Sequence, residues 1–186
     1  MSEAPATHGY TYDDLAGFPD DGYRREIIGG ELIVNAAPAP GHQDAVLELG
    51  AGLLAWTKRN GGKVYVAPLD VYFAHDDVVE PDVVFLRPEH AEQIGDRYVR
   101  DAPDLVVEVS SPSTRRLELV RKRDLYERYG VPEYWYVDRD ADRVEVYRLG
   151  TDRRYATPAL LGSGEHLTTP AAPGFRVAVD DVLGLG

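Results

Sequence analysis

Two spacings of hydrophobic residues alternate along the chain and predict two kinds of element. The stretch 42–62 carries apolar residues at the spacing of an amphipathic helix and ends on two glycines. A second helix is predicted over 113–129, because Ser and Thr can cap its start and Gly130 stands at the stop position. Short runs rich in β-branched and aromatic residues predict strands at 63–68, 69–75, 81–86, 103–109, 133–138 and 143–149, with weaker candidates at 153–158 and 175–183.

The first strand signal is a hairpin. The stretch 23–35 reads as two short strands about Gly29-Gly30, a dipeptide suited to the positive φ angles of a tight turn. Together with the later elements it predicts a mixed β-sheet with two main helices, of the α/β or α+β class. Length and pattern predict a single domain over 21–186, preceded by a polar, loosely attached lead-in at 1–20.

Composition narrows the possible functions. The chain has 20 Lys and Arg against 32 Asp and Glu, a net charge of −12, which argues against a broad polyanion-binding surface. The segment 115–130 is nevertheless basic. The absence of cysteine excludes disulfides and thiolate zinc sites and favours the cytoplasm. No apolar run approaches the ~18 residues of a membrane span, and P-loop, nucleophile-elbow and HExxH motifs are absent.

The strands at 81–86 and 103–109 each place a carboxylate among apolar residues. In an extended strand Asp104, Val106 and Glu108 share one face, so Glu108 lies near the end of an otherwise apolar element. Asp82 repeats the arrangement in the other strand. A buried carboxylate is costly unless it is paired, protonated or bound to a metal.

The second helix adds a cation on the same side as its apolar residues. At about 100° per residue, Lys122 lies near the middle of the arc formed by Leu119, Leu125, Tyr126 and Tyr129. The alternative is a helix-surface pair of Lys122 with the glutamate four residues earlier, together with solvated carboxylates at the strand ends. Two strand carboxylates and a helix amine would suit a divalent cation and a water beside a phosphodiester.

These residues carry a resemblance to a known family. The segments "EPDVVFL", "APDLVVEVSSPSTRR", "RKRDLY" and "YGVPEYWYVD", in this order, resemble the Uma-two family of restriction-endonuclease-like proteins, within the PD-(D/E)XK nuclease superfamily. The resemblance covers 23 to about 149. It implies a restriction endonuclease-like mixed sheet flanked by helices, Asp82 and Glu108 as metal ligands, and Lys122 as the active-site lysine. The usual lysine lies two residues after the acidic residue, where this chain has Ser110, so the helix must supply the amine.

Four further positions have both a functional and a structural interpretation. Glu26 matches an acidic position of the family and is either an additional metal ligand or a plain hairpin charge. His42, in "GHQ", either orients the site or binds phosphate, or else caps or packs the helix. Ser113 and Arg115, in "SSPSTRR", are either phosphate contacts at a helix start or ordinary capping residues.

The leading hypothesis is a Mg²⁺- or Mn²⁺-dependent endonuclease acting on DNA, with Asp82, Glu108, Lys122 and Glu26 as catalytic residues. A homodimer is expected, because cleavage of both strands of a duplex calls for two active sites related by a two-fold axis. The alternative is a non-catalytic nucleic-acid-binding or protein-interaction module on a nuclease-like fold. A third possibility directs the same metal chemistry at RNA or a small phosphodiester.

Overall fold

The structure is a computed structural model that describes residues 9–35, 38–110 and 117–185. Its helices are α1 (Tyr12–Leu15), α2 (Pro40–Asn60), α3 (Arg123–Tyr129) and α4 (Val179–Leu183), with a 3₁₀ helix at Pro88–Gln93 and a π-helical segment at Leu117–Lys122 directly before α3. Its strands are β1 (Arg24–Ile28), β2 (Glu31–Asn35), β3 (Lys63–Val66), β4 (Asp70–Ala74), β5 (Asp77–Val79), β6 (Val83–Leu86), β7 (Tyr98–Arg100), β8 (Leu105–Val109), β9 (Glu133–Asp138), β10 (Arg143–Arg148), β11 (Ala159–Leu161), β12 (His166–Leu167) and β13 (Val177–Ala178).

The described strands form two mixed sheets and a small two-stranded one. The first sheet has the order β2-β1-β5-β4-β7, the second has the order β11-β10-β9-β8-β6-β3, and β12 pairs with β13. In the second sheet β8 runs parallel to β9 and antiparallel to β6. The expected mixed β-sheet flanked by helices is therefore confirmed, as is the N-terminal hairpin formed by β1 and β2.

The second sheet is buried on both faces. In β8, Leu105, Val107 and Val109 belong to the hydrophobic cluster that includes α2 and α4, whereas Val106 belongs to the cluster that includes α3. This alternation follows from the two-residue period of a strand. Glu108 shares the face of Val106, so it points into the layer between the sheet and α3.

Several sequence predictions were wrong in detail. The stretch 153–158 is not a strand; Tyr155 forms an isolated bridge to Leu149, and its hydroxyl donates to the Val131 carbonyl oxygen. The candidate strand 175–183 becomes β13 followed by α4, because Val179, Val182 and Leu183 have helical spacing and are buried. The strands β5 and β7, of three residues each, had no sequence signal of their own.

The second predicted helix has two kinds of turn. Positions 113–116 of that prediction lie outside the described residues. The segment Leu117–Lys122 is π-helical, and the α-helix proper begins at Arg123. Wide π turns inside helices occur frequently at functional sites. Lys122, the last residue of this segment, is thereby placed on the inner side of the helix.

The helix ends at Gly130, as the sequence predicted. Gly130 has φ 79° and ψ 30°, and its N–H bonds to the carbonyl oxygens of Glu127 and Tyr126. A side chain in this left-handed conformation is strained, and a Cβ would lie 3.0 Å from the Arg153 guanidinium. We expect Gly130→Ala to lower the free energy of unfolding by about 1 kcal/mol in urea denaturation. Gly130→Asn should cost less, because asparagine tolerates this conformation; equal costs would contradict a conformational origin.

The segment before β1 contacts the first sheet. The Tyr10 N–H donates to the Gly30 carbonyl oxygen, and the Tyr12 N–H donates to the His75 carbonyl oxygen. The Tyr12 ring lies edge-on to the rings of Tyr72 and Tyr98. The boundary between a lead-in at 1–20 and a domain at 21–186 stays a prediction. Among the described residues, no helix is both long and apolar enough to cross a membrane.

Candidate active site

Four ionisable residues from separate elements meet between the two large sheets. Glu26 comes from β1, Asp82 immediately precedes β6, Glu108 lies in β8, and Lys122 ends the π-helical segment. Each carboxylate residue is 1% exposed and Lys122 is 3% exposed. Such burial of charged groups is rare unless they are paired.

Lys122 bridges two of the carboxylates. Its Nζ lies 2.7 Å from Glu26 Oε1 and 2.9 Å from Glu108 Oε1. Buried charge-assisted hydrogen bonds of this length are stronger than neutral ones. The inward orientation of Lys122 predicted from the helix arc is confirmed, and its alternative as a helix-surface cation is wrong.

Tyr126 completes the surroundings of Glu108. It lies one helical turn after Lys122, and its hydroxyl donates to Glu108 Oε1 at 2.5 Å. Burial, and then the Glu108 carboxylate, hold the pKa of Tyr126 well above its ordinary value. The phenol therefore stays protonated and keeps donating, which fixes the orientation of the Glu108 carboxylate.

Asp82 is held beside Glu108 by the strand register. The ladder between β6 and β8 ends at the pair of Val83 with Val107, so Asp82, one residue before it, lies beside the Glu108 end of β8. The Val109 N–H donates to Asp82 Oδ2 at 2.8 Å.

Two cationic or polar side chains also bind the Asp82 carboxylate. Arg24 Nη1 donates to Oδ1 at 2.8 Å, and His42 Nε2 lies 3.0 Å from Oδ2. Burial opposes ionisation of Asp82, but the bonds and charges of His42 and Arg24 outweigh it and lower the Asp82 pKa. Asp82 is therefore a carboxylate acceptor at neutral pH.

Glu26 is bound on both of its oxygens. Asn35, at the end of β2, donates from Nδ2 to Oε2 at 2.7 Å, and the Glu80 N–H donates to Oε1 at 2.8 Å. Glu26 is therefore buried and bonded, and its role as an additional metal ligand stays a prediction. Glu26 pairs with Ile33 on β2, and Asn35 lies two residues further along that strand, on the same face. The hairpin register therefore brings the Asn35 side chain next to Glu26.

Two more carboxyl groups lie near Glu26, and their pKa values are raised by burial and by its negative charge. Burial, and then the Glu26 carboxylate, raise the pKa of Asp70 to about 6. Burial, and then Asp70 and Glu26, raise the pKa of Glu80 to about 7. The Glu80 Oε2 atom is buried and has no hydrogen-bond partner among the described residues. The cations Arg24 and Lys122 thus compensate only part of the local charge.

The donor chemistry of this cluster fits a hard divalent cation. Carboxylate oxygens are the ligands that Mg²⁺ and Mn²⁺ prefer, and Mg²⁺ is often held by one or two carboxylates with waters and substrate phosphate. Asp82, just before β6, and Glu108, in β8, supply two. Within the part of the chain that the structure describes, no three His, Asp or Glu side chains are arranged to enclose a metal alone. Lys122 binds an oxygen of Glu108, and Arg24 binds an oxygen of Asp82.

The structure brings together most of the residues singled out from the sequence. Lys122 joins Glu26 and Glu108, and His42 binds Asp82. Arg24 links the two groups, since it binds Asp82 and its charge interacts with Glu108 and Glu26. The predicted substrate contacts Ser113 and Arg115 lie outside the described residues.

Sequence reasoning missed other members of this network. Arg24 shares a strand face with Glu26, and Tyr126 had been placed on the arc of Lys122, so both had a periodicity signal. Asn35 follows from the register of the predicted hairpin, whereas Asp70 and Glu80 had no such signal, because only the tertiary fold brings them to the site.

Two comparisons with known proteins give matches, one to a family model and one to a solved structure. A family model described as "Putative restriction endonuclease" matches residues 11–180. The fold matches a crystal structure of a putative nuclease belonging to DUF820 from Anabaena variabilis, with a TM-score of 0.77 and 18% sequence identity, over 94% of this chain and 97% of that chain. At that identity the likeness shows the fold. A comparison with curated proteins gives no match.

Proposed function

The chain belongs to the Uma2 family of putative restriction endonucleases, and we propose that it is a Mg²⁺- or Mn²⁺-dependent endonuclease that hydrolyses phosphodiester bonds in DNA. The observation that carries the proposal is the buried lysine. Lys122 lies within 2.9 Å of carboxylates from two different strands, and Asp82 lies beside the end of β8, which carries one of them. A purely structural role for so many buried charges is an expensive way to stabilise a fold.

Asp82 and Glu108 are the proposed metal ligands, and Glu26 is an additional carboxylate for the same centre. A bound divalent cation supplies polarisation of the scissile phosphate and a lowered pKa for an attacking water. Lys122 would orient the attacking water or offset negative charge on the phosphate in the transition state. Tyr126 keeps Glu108 oriented, and His42 does the same for Asp82.

The test is a cleavage assay on supercoiled, linear and single-stranded DNA, with RNA alongside. We expect cleavage of DNA in Mg²⁺ or Mn²⁺, none in a chelator, and loss of cleavage by at least about 100-fold in Glu26→Gln. Glu31→Gln is the matched control, since Glu31 lies in the same hairpin with a side chain 68% exposed. Metal-dependent cleavage that Glu26→Gln leaves unchanged contradicts the role of Glu26. If the protein cleaves RNA but not DNA, we would infer the same metal-dependent hydrolysis with RNA as the substrate.

A second candidate is a non-catalytic nucleic-acid-binding or protein-interaction module on the nuclease-like fold. It is favoured by the net charge of −12 and by the pairing of Lys122 and Arg24 with the carboxylates. Salt-sensitive DNA binding without cleavage supports this module. The absence of both DNA binding and cleavage points to a protein partner.

Two coarser expectations accompany the proposal. We propose a homodimer, and sedimentation giving the mass of one 20.6 kDa chain at micromolar concentration would contradict it. We also propose a cytoplasmic location, on the absence of cysteine from the sequence.

A further inference from the structure

A small cavity opens next to the proposed metal centre. It has a volume of about 230 Å³, and its polar lining includes Arg24, His42 and Asp82. The remaining lining is largely apolar and includes Val46 and Pro68. The proposed metal ligand Asp82 therefore lies at one end of the cavity. The rest of the lining can contact an apolar part of a bound molecule.

Two side chains of this lining have hydrogen-bonding atoms without a partner. His42 is 4% exposed and binds Asp82 through Nε2, and its Nδ1 is buried and unbonded among the described residues. Arg24 uses Nη1 for Asp82, and its Nε is likewise buried and unbonded. Buried polar atoms are normally hydrogen-bonded, so an unbonded nitrogen on each of two residues that line this cavity leaves the hydrogen bonding of its wall incomplete. A guanidinium with free N–H groups is suited to phosphate oxygens.

The size of the cavity limits what it can hold. Pockets for drug-sized ligands have about 300–1,000 Å³, so this one takes a smaller group. A single sugar or base has apolar faces that match Val46 and Pro68, and the phosphate attached to it would reach Arg24. A longer piece of nucleic acid would have to continue outside the cavity.

We propose that this cavity binds one nucleotide next to the scissile phosphate, with Arg24 donating to a phosphate oxygen and the apolar lining receiving the adjoining sugar or base. This inference rests on the proposed nuclease function. It adds Arg24, which lies two residues before Glu26 on the same strand face, as a substrate-binding residue. His42 lines the same cavity and holds Asp82 through Nε2.

The experiment measures nucleotide binding by titration calorimetry in Mg²⁺, with a deoxynucleoside 5′-monophosphate as the probe. The same deoxynucleoside and inorganic phosphate are titrated separately. We expect Arg24→Gln to weaken binding of the nucleotide by at least about tenfold. Gln43→Trp should abolish binding by filling the cavity from an exposed position of α2. Arg25→Gln is the matched control, since its guanidinium binds Asp21 instead.

Each outcome has a defined meaning. Binding that Arg24→Gln and Gln43→Trp weaken and Arg25→Gln retains supports the nucleotide site. No binding of the nucleotide at millimolar concentration, equal affinity for inorganic phosphate, or indifference to both substitutions overturns it. Gln43→Trp keeps the test valid if thermal unfolding shows that Arg24→Gln is misfolded.

Mn²⁺ titration of the same proteins separates this inference from the proposed function. If the protein binds Mn²⁺ but no nucleotide, the nucleotide site is contradicted and the proposed metal centre is not. The opposite result is also informative. If nucleotide binding depends on Arg24 but Mn²⁺ affinity is unchanged in Asp82→Asn and Glu108→Gln, the proposed metal centre is contradicted and the nucleotide site is not.

Discussion

Lys122→Met is expected to lower the free energy of unfolding by about 3–5 kcal/mol, because it leaves two buried carboxylates without their shared cation. Methionine preserves most of the volume of the lysine stem, so the loss is mainly electrostatic. Lys122 Nζ now lies 2.7 Å from Glu26 and 2.9 Å from Glu108. Urea denaturation followed by circular dichroism measures the change.

A double substitution isolates the cause. Adding Glu26→Gln to Lys122→Met removes one of the uncompensated charges, so part of the lost stability should return. Arg123→Met is the matched control, because this neighbouring arginine has a side chain 37% exposed and pairs with Asp124 on the surface. Its cost should stay below about 1 kcal/mol. Equal costs for Lys122→Met and Arg123→Met would contradict the buried ion triad.

Mn²⁺ binding is expected to fall by at least about 100-fold in both Asp82→Asn and Glu108→Gln, measured by titration calorimetry on folded protein. Each substitution removes a negative charge and replaces a carboxylate oxygen with an amide in the proposed ligand pair. Even the loss of groups that only support metal ligands costs 10–100-fold in other sites. This measurement tests the centre without knowledge of the substrate.

Glu133→Gln is the control for these two variants. Glu133 is also a buried carboxylate of the second sheet, but it binds Trp135, Arg148 and Thr169 at the opposite end of β9. Its substitution should leave Mn²⁺ affinity unchanged. If the native chain binds no Mn²⁺ even with an uncleavable DNA duplex present, the metal centre is contradicted and the non-catalytic module is favoured.

Local periodicity predicted much of the candidate site. The helical arc around Lys122 placed its amine on the apolar side, and the strand alternation placed Glu108 with Val106; both orientations are confirmed. Such predictions succeed because a side chain's face depends on backbone geometry that repeats over a few residues. The hairpin at Gly29-Gly30 was equally local, since positive φ at both glycines is a requirement of the turn.

Other features had no local signal. β5 and β7 have three residues each, too few for a period to be recognised, and they owe their conformation to pairing with β4. The stretch 175–183 was misassigned because its apolar residues suit a strand as well as a helix. The helical conformation is stabilised by the packing of Val182 in the hydrophobic core.

The sequence by itself determined that Glu108 and Lys122 turn toward apolar neighbours, because local backbone geometry sets their faces, and it singled out Asp82 beside an apolar strand. Only the tertiary structure decided which of these charges meet. The register of β6 against β8 set Asp82 beside the Glu108 end of β8, and the packing of the two sheets brought Arg24 to Asp82 across 58 positions of chain. The physical reason is that the periodicity of a helix or strand fixes the direction in which a side chain points. Which residue that side chain then contacts depends on how distant elements pack together.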